Sequence, residues 1–324
     1  MSLETPKLIA SFSFGTGAGF DLQLAAYARQ LAEDFAQILA LLDSVVAIPR
    51  FILLPQSGSI LEQWEERASA FAVFYSLPDT RFILRACAEL GADYALTGRL
   101  VDTEGGVILS VNLVDAERRL LLFSGQCEVE RDGIMDAIII VGCRLLGALS
   151  ESKAEDWREK VIAMLGTTNF RAYSNWVSYR ECQRRSVAQK QQPPYDRMAE
   201  HIIYALKEDP KYENALRELP ALLRRDLSSR TKDLLISQLQ GVSAHNETIA
   251  LSLAWMLRKR EQMELAISVL DSALTHKESA LLYLMRALCK EAKDPLGAKY
   301  DDERAVKLLG EAQFASFREA LRRT

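Results

Sequence analysis

Hydrophobic and polar positions change rhythm near the middle of the chain. Residues 7–14, KLIASFSF, form a short apolar run that ends at Gly15, Gly17 and Gly19, the signature of a strand followed by a turn. Leu24, Tyr27, Ala28, Leu31, Phe35, Ile38 and Leu42 then recur three and four residues apart, which predicts a helix with one apolar stripe and Asp21 as its N-cap. Residues 45–54, VVAIPRFILL, read as a second strand broken by Pro49, and residues 58–74 and 79–90 as two helices parted by SLPD. Tyr94, Leu96, Gly98 and Leu100 alternate with polar or small neighbours, as do Val107, Leu109, Val111 and Leu113 beyond DTEGG, so the pair predicts a β-hairpin. ERRLLLFSGQCEV supplies a third antiparallel strand. Helical spacing then returns through Ile134, Ile138, Val141, Leu145 and Leu149. Burying these stripes requires a sheet with helices on one or both faces.

Strand signals stop after about residue 150, and only helical patterns follow. Leu253, Ala254 and Leu257, with Ala266, Leu270 and Ala273, fit a helix pair of the tetratricopeptide type. Stepping back by the 34-residue period reaches Lys232, Ile236 and Leu239, and another step reaches Met198, Ile202 and Ala205. A last unit at Ala305, Leu309 and Ala312 requires a five-residue insertion around KDPLGAKY. In the middle unit Lys232 stands where a small residue belongs, and Pro220 is expected to interrupt the first helix. The fold class expected is therefore an α+β or α/β N-terminal domain with a mixed, partly antiparallel sheet over residues 1–150. An all-α helical-repeat domain follows over 151–324.

The stretch LGADYALTGRLVDTEGGVILSVNLVDAERRLLLFSG resembles the hairpin region of TolB-like domains, those similar to the amino-terminal domain of TolB. In that family a Leu-Gly-x-Asp-Tyr-x-Leu-x-Gly strand precedes a turn, a second strand ending in LVDA-type residues, a third strand and a helix rich in Ile and Val. The resemblance spans residues 7–150. It departs from the family in a long insertion at 57–79 and in Phe123 where Trp is frequent. It implies a bacterial, non-enzymatic ligand- or protein-binding module, which in this family often continues into tetratricopeptide repeats, and it brings no catalytic residues.

Composition narrows the function classes. The 324 residues carry a net charge of −4, with 49% apolar and 26% charged residues, a globular balance that argues against disorder and against nucleic acid as a partner. No run of about 18 apolar residues occurs, so no transmembrane segment is expected. The start MSLETPKLIASFSF lacks secretory features; a cytoplasmic location follows, or a periplasmic one had a signal peptide been removed. Five scattered cysteines without a CxxC pair suggest reduced thiols rather than disulfides or zinc.

Candidate chemistry is sparse. FGTGAGF sits between a strand and a helix, where a phosphate loop would lie, but Phe20 replaces the last glycine and no Lys-Ser or Lys-Thr follows. Gly15, Gly17 and Gly19 are thus an alternative ligand site, for a small-molecule or nucleotide sensor. His201, His245 and His276 have no HExxH-type partner, and no GxSxG elbow occurs, so neither an enzyme, a metal nor a cofactor is expected. Trp157, Phe170, Tyr173, Trp176 and Tyr179 cluster at the junction of the halves, as domain packing or as a peptide pocket. In the repeat register the concave positions include Asn214, Arg217, Arg224, Arg225, Thr248, Trp255, Arg258 and Lys259. Five cations beside one Trp in an acidic protein point to a protein or peptide partner with acidic groups. The sequence reading is an adaptor that binds a partner through its helical repeats, with the oligomeric state left open.

Overall fold

The computed structural model describes residues 7–12, 14–16, 22–47 and 80–323. Asp21, the helix expected at 58–74 and the strand residues beyond Ala47 lie outside the described residues. By packing, the chain divides into two compact units, Met1–Pro193 and Pro194–Thr324. The sequence reading divided the chain at residue 150; the compact units divide it after two further helices.

The first unit is built on a mixed sheet. Strands β1 (Lys7–Ser11), β2 (Gly15–Thr16), β3 (Val45–Ala47), β4 (Tyr94–Thr103), β5 (Gly106–Asp115) and β6 (Leu120–Val129) lie in the order β3-β1-β4-β5-β6, with β2 also on β4. The β1 pairings with β3 and β4 are parallel, whereas β4, β5 and β6 form an antiparallel meander. Period-two patterning predicted this meander, and its register runs from Tyr94↔Asp115 to Thr103↔Gly106. The alternation has a direct cause: Leu96, Leu100, Val107, Leu109, Val111 and Leu113 all point to one face and are fully buried.

Helices α1 (Leu22–Leu39) and α3 (Ile134–Leu149) pack on the sheet and on each other. Their stripes, Leu31, Phe35 and Ile38 facing Ile138, Val141 and Leu145, are buried completely. Helix α2 (Thr80–Leu90) forms a separate cluster, placing Ile83, Ala86 and Cys87 against Ala10, Phe12 and Ala95. Gly98 is the position where β4 tolerates no side chain. A Cβ there would stand 2.5 Å from the Phe14 ring and 2.6 Å from the Ser110 carbonyl oxygen.

Two more helices complete this unit, α4 (Arg158–Leu165) and α5 (Phe170–Ala188). Gly166 ends α4 in the left-handed region, and the Asn169 side chain caps α5 by accepting from the Arg171 and Ala172 amides. Helix α5 lies on α1 through polar contacts. Arg29 makes two bonds to Glu181, Arg180 and Arg184 each reach Glu33 at 2.9 Å, and the Tyr173 hydroxyl donates to buried Asp34 at 2.5 Å.

The second unit is all helical: α6 (Tyr195–Glu208), α7 (Glu213–Leu223), α8 (Ser229–Ser243), α9 (Glu247–Lys259), α10 (Met263–His276), α11 (Ala280–Lys290), α12 (Pro295–Leu309) and α13 (Glu311–Arg323). Helices α7 and α9 start 34 residues apart, as do α8 and α10. The small and apolar positions Leu253, Ala254, Leu257, Ala266, Leu270 and Ala273 are buried between α9 and α10.

Two local expectations fail. Pro220 does not interrupt α7, which continues through it to Leu223. One missing N–H is tolerated because Leu219, Leu222 and Leu223 are buried around it. Nor is KDPLGAKY an insertion: Asp294 caps a helix that begins at Pro295, and this helix buries Ala298, Asp301 and Ala305 while Ala312 is exposed in α13. Among the described residues, no single helix is long and apolar enough to cross a membrane.

Candidate functional site

Helix α7 is short, with Arg224 as its C-cap, and the chain then crosses through Arg225, Asp226 and Leu227 to reach α8. Helix α6 packs against both α7 and α8, so α8 leans on α6 rather than closing over the end of α7. The space left is an open cleft of about 580 Å³ walled by the 223–227 segment, by Lys232 of α8 and by the last turn of α9. Leu223, Leu227 and Met256 supply its apolar surface, and Trp255 adds a half-buried indole.

The polar lining is strongly one-sided. Arg224, Arg225, Lys232, Lys259 and Arg260 face the cleft, with Asp226 the single acidic residue in its wall among the described residues. The crossing segment is held from outside: Ser228 caps α8, and its amide donates to Asp196 at 2.8 Å. Hydrogen bonds from Thr231 and Ser228 hold the Asp196 carboxyl below the usual carboxylate range. Arg225 stacks on Tyr195 at 4.9 Å and Lys259 sits 5.6 Å from the Trp255 ring centre, so aromatic faces position two of the cations. Arg260 is bound to Asp233 at 2.7 Å. Among the described residues no carboxylate forms an ion pair with Arg224, Arg225 or Lys259.

Of the residues singled out in the sequence, the cleft brings together Arg224, Arg225, Trp255 and Lys259. It leaves out four, of which Thr248 lies in the first turn of α9. Asn214 and Arg217 lie near the start of α7, where Arg217 pairs with Glu213 at 3.3 Å. Arg258 turns the other way and donates to the Leu321 carbonyl of α13 at 3.3 Å. Lys232, Arg260, Asp226 and the apolar wall were missed. The misplaced lysine at a small-residue position was the one available signal for Lys232. Beyond Arg225, which the repeat register included, the crossing segment carries no periodicity, so nothing in the sequence located Asp226 and Leu227.

Comparisons with known proteins give partial likenesses only. No family model matches the chain, and no curated protein matches it. Among solved structures it is similar to TolB from Acinetobacter baumannii, at 17% identity and a TM-score of 0.29, over 45% of this chain and 29% of that one. It is also similar to the LpoB C-terminal domain from Salmonella enterica, at 13% identity and a TM-score of 0.24, over 39% of this chain and 83% of that domain. The likeness thus spans less than a third of the TolB structure.

The other candidates have structural surroundings. Gly15 is a buried strand residue paired in register with Arg99, and Gly17 and Gly19 lie outside the described residues. Tyr173 and Tyr179 are buried within the first unit, Tyr173 against Tyr27 and Asp34, and Trp176 stacks on Tyr179. His245 and His276 meet edge to face on the surface, and burial lowers the pKa of His201. Burial pushes the Cys87 thiol up to about 12 and Cys289 up to about 11, which leaves both without a nucleophilic thiolate near neutrality.

Proposed function

We propose that this protein is a non-enzymatic binding module whose helical unit captures an acidic segment of a partner protein in the cleft between α7, α8 and α9. The observation that carries this reading is the convergence of Arg224, Arg225 and Lys259, none ion-paired among the described residues, on one cleft with an apolar wall and a half-buried Trp. Each of these cations can make a charge-assisted hydrogen bond to a carboxylate. Leu227, Met256 and Trp255 offer a seat for an aliphatic or aromatic anchor beside it. Aromatic and arginine side chains around an apolar centre are the usual composition of a binding hot spot.

The test is a panel of acidic peptides carrying a Leu, Met or Phe anchor, titrated against the full chain with Trp255 fluorescence as readout. Binding should weaken with salt. Reversal of both Arg224 and Lys259 to Glu should weaken it by about 100-fold or more, because each charge-assisted bond contributes roughly 1.5–3 kcal/mol. Reversal of Lys277, which follows α10 and pairs with Glu247 at the start of α9, should leave binding unchanged. Equal affinity of the cleft double variant and the parent would refute the assignment.

A further inference from the structure

The two ends of the sheet are finished differently. Among the described residues, β3 at one end spans three residues, whereas β6 at the other end has ten and is paired on one side only. A row of unpaired N–H and C=O groups invites another strand, and proteins ordinarily blunt such an edge with Pro, Lys, a bulge or brevity. Residues 120–129, LLLFSGQCEV, contain neither Pro nor Lys. Their one irregularity lies at the start, where the register shifts from Leu113↔Phe123 to Val114↔Leu121, so the strand is regular from Phe123 onward. One face of β6 is covered by α3. Leu120, Leu121 and Leu122 are nevertheless 56%, 60% and 37% exposed.

The charges at the two ends of this strand are opposite. Arg119, held in the left-handed region at φ 57°, precedes it, and Glu128 and Glu130 stand at its far end. All three are exposed and, among the described residues, none has an ion-pair partner; neighbouring Arg118 and Arg131 are taken by Asp115 and Asp102. A strand that is basic at its start and acidic at its end is complementary to itself when reversed. We propose that β6 pairs antiparallel with β6 of a second copy of this chain, about a two-fold axis near Ser124 and Gly125, joining two sheets into one. In that arrangement Arg119 of each copy comes within one or two positions of Glu128 and Glu130 of the other. The exposed leucines of each copy are covered by the far end of its mate. Parallel pairing would set like charges together, and an unrelated strand would have no reason to match this polarity.

The experiment is sedimentation of the full chain over a dilution series under reducing conditions, so that Cys127 cannot cross-link copies. A reversible monomer–dimer equilibrium is expected. Arg119→Glu alone, and Glu128→Arg with Glu130→Arg, should each weaken it by about tenfold, since attractive pairs are replaced by repulsive ones at two symmetric places. Combining the three substitutions should restore it. Circular dichroism checks that each variant is folded, and hydrogen exchange should show β6 amides gaining protection as the parent is concentrated. A chain that stays monomeric throughout, a dimer indifferent to all three substitutions, or a combined variant weaker than either parent variant would overturn the proposal.

Discussion

Asp34 is a carboxyl group set where a charge is costly, and replacing it with Asn isolates that cost. It is only 5% exposed between α1 and α5, with Gln30 donating to one oxygen at 2.8 Å and Tyr173 to the other at 2.5 Å. Burial pushes its pKa up to about 6; the Tyr173 and Gln30 hydrogen bonds and the Arg184 charge oppose that rise, and the Glu33 charge adds to it. A folded-state pKa above the unfolded value of 3.8 means that the native state holds the proton longer, so stability falls as pH rises from about 4 to about 6. The shift corresponds to about 3 kcal/mol, present as a penalty at pH 7 and absent below pH 4. The Asp34→Asn variant keeps the shape and carries no charge there, so the difference in unfolding free energy between variant and parent should move in favour of the variant by about 3 kcal/mol across that window. Groups common to both chains, such as Asp93 and Asp196 with their lowered pKa values, cancel in the difference. Urea unfolding in a Trp255→Phe background, where the remaining tryptophans all lie in the first unit, reads the relevant transition. A difference that stays flat from pH 4 to pH 7 would refute the reasoning.

Asp301→Ala should cost the second unit about 3 kcal/mol or more by urea unfolding, because Asp301 is fully buried and its loss leaves Arg286 and Lys290 without their inner partner. Gly98→Ala should destabilise the first unit by at least roughly 1–3 kcal/mol, since the new methyl meets the Phe14 ring and the Ser110 carbonyl; a thermal scan with an unchanged midpoint would contradict it.

What the sequence disclosed depended on how locally each feature is encoded. The meander from β4 to β6 and the helix α3 were legible because alternation and three-four spacing are properties of contiguous residues. The placing of β1 between β3 and β4 was not, because parallel partners are distant in sequence and every buried strand of this kind is a short apolar run. The same holds for Asp34 and Tyr173, whose contact joins positions 139 apart. Pro220 misled because helix-breaking is an average cost, and buried leucines around it outweigh one lost hydrogen bond. In the cleft, the periodic rule for α7 and α9 found Arg224, Trp255 and Lys259, while Lys232 and Arg260 come from α8 and a turn that the rule does not reach.

Cations at helix ends have an ordinary explanation, since Arg224 caps the C-terminus of α7 and Lys259 ends α9, each beside unpaired carbonyls that give roughly 0.3–1 kcal/mol. That explanation accounts for each residue singly but not for their meeting. Three other cation clusters among the described residues are built together with their carboxylates. Arg29, Arg180, Arg184 and Arg185 share Glu33 and Glu181, Arg286 and Lys290 share Asp301, and Arg318 reaches both Glu291 and Asp302. In the cleft the pattern reverses: Asp233 neutralises Arg260 alone, and Asp226 is the only carboxylate in the wall among the described residues. Like charges converging without counter-charges raise the local potential, which costs stability and draws anions. Those three clusters neutralise their cations internally, whereas the cleft cations face an apolar wall and an indole; on the proposed function, a partner's carboxylates would supply the counter-charges.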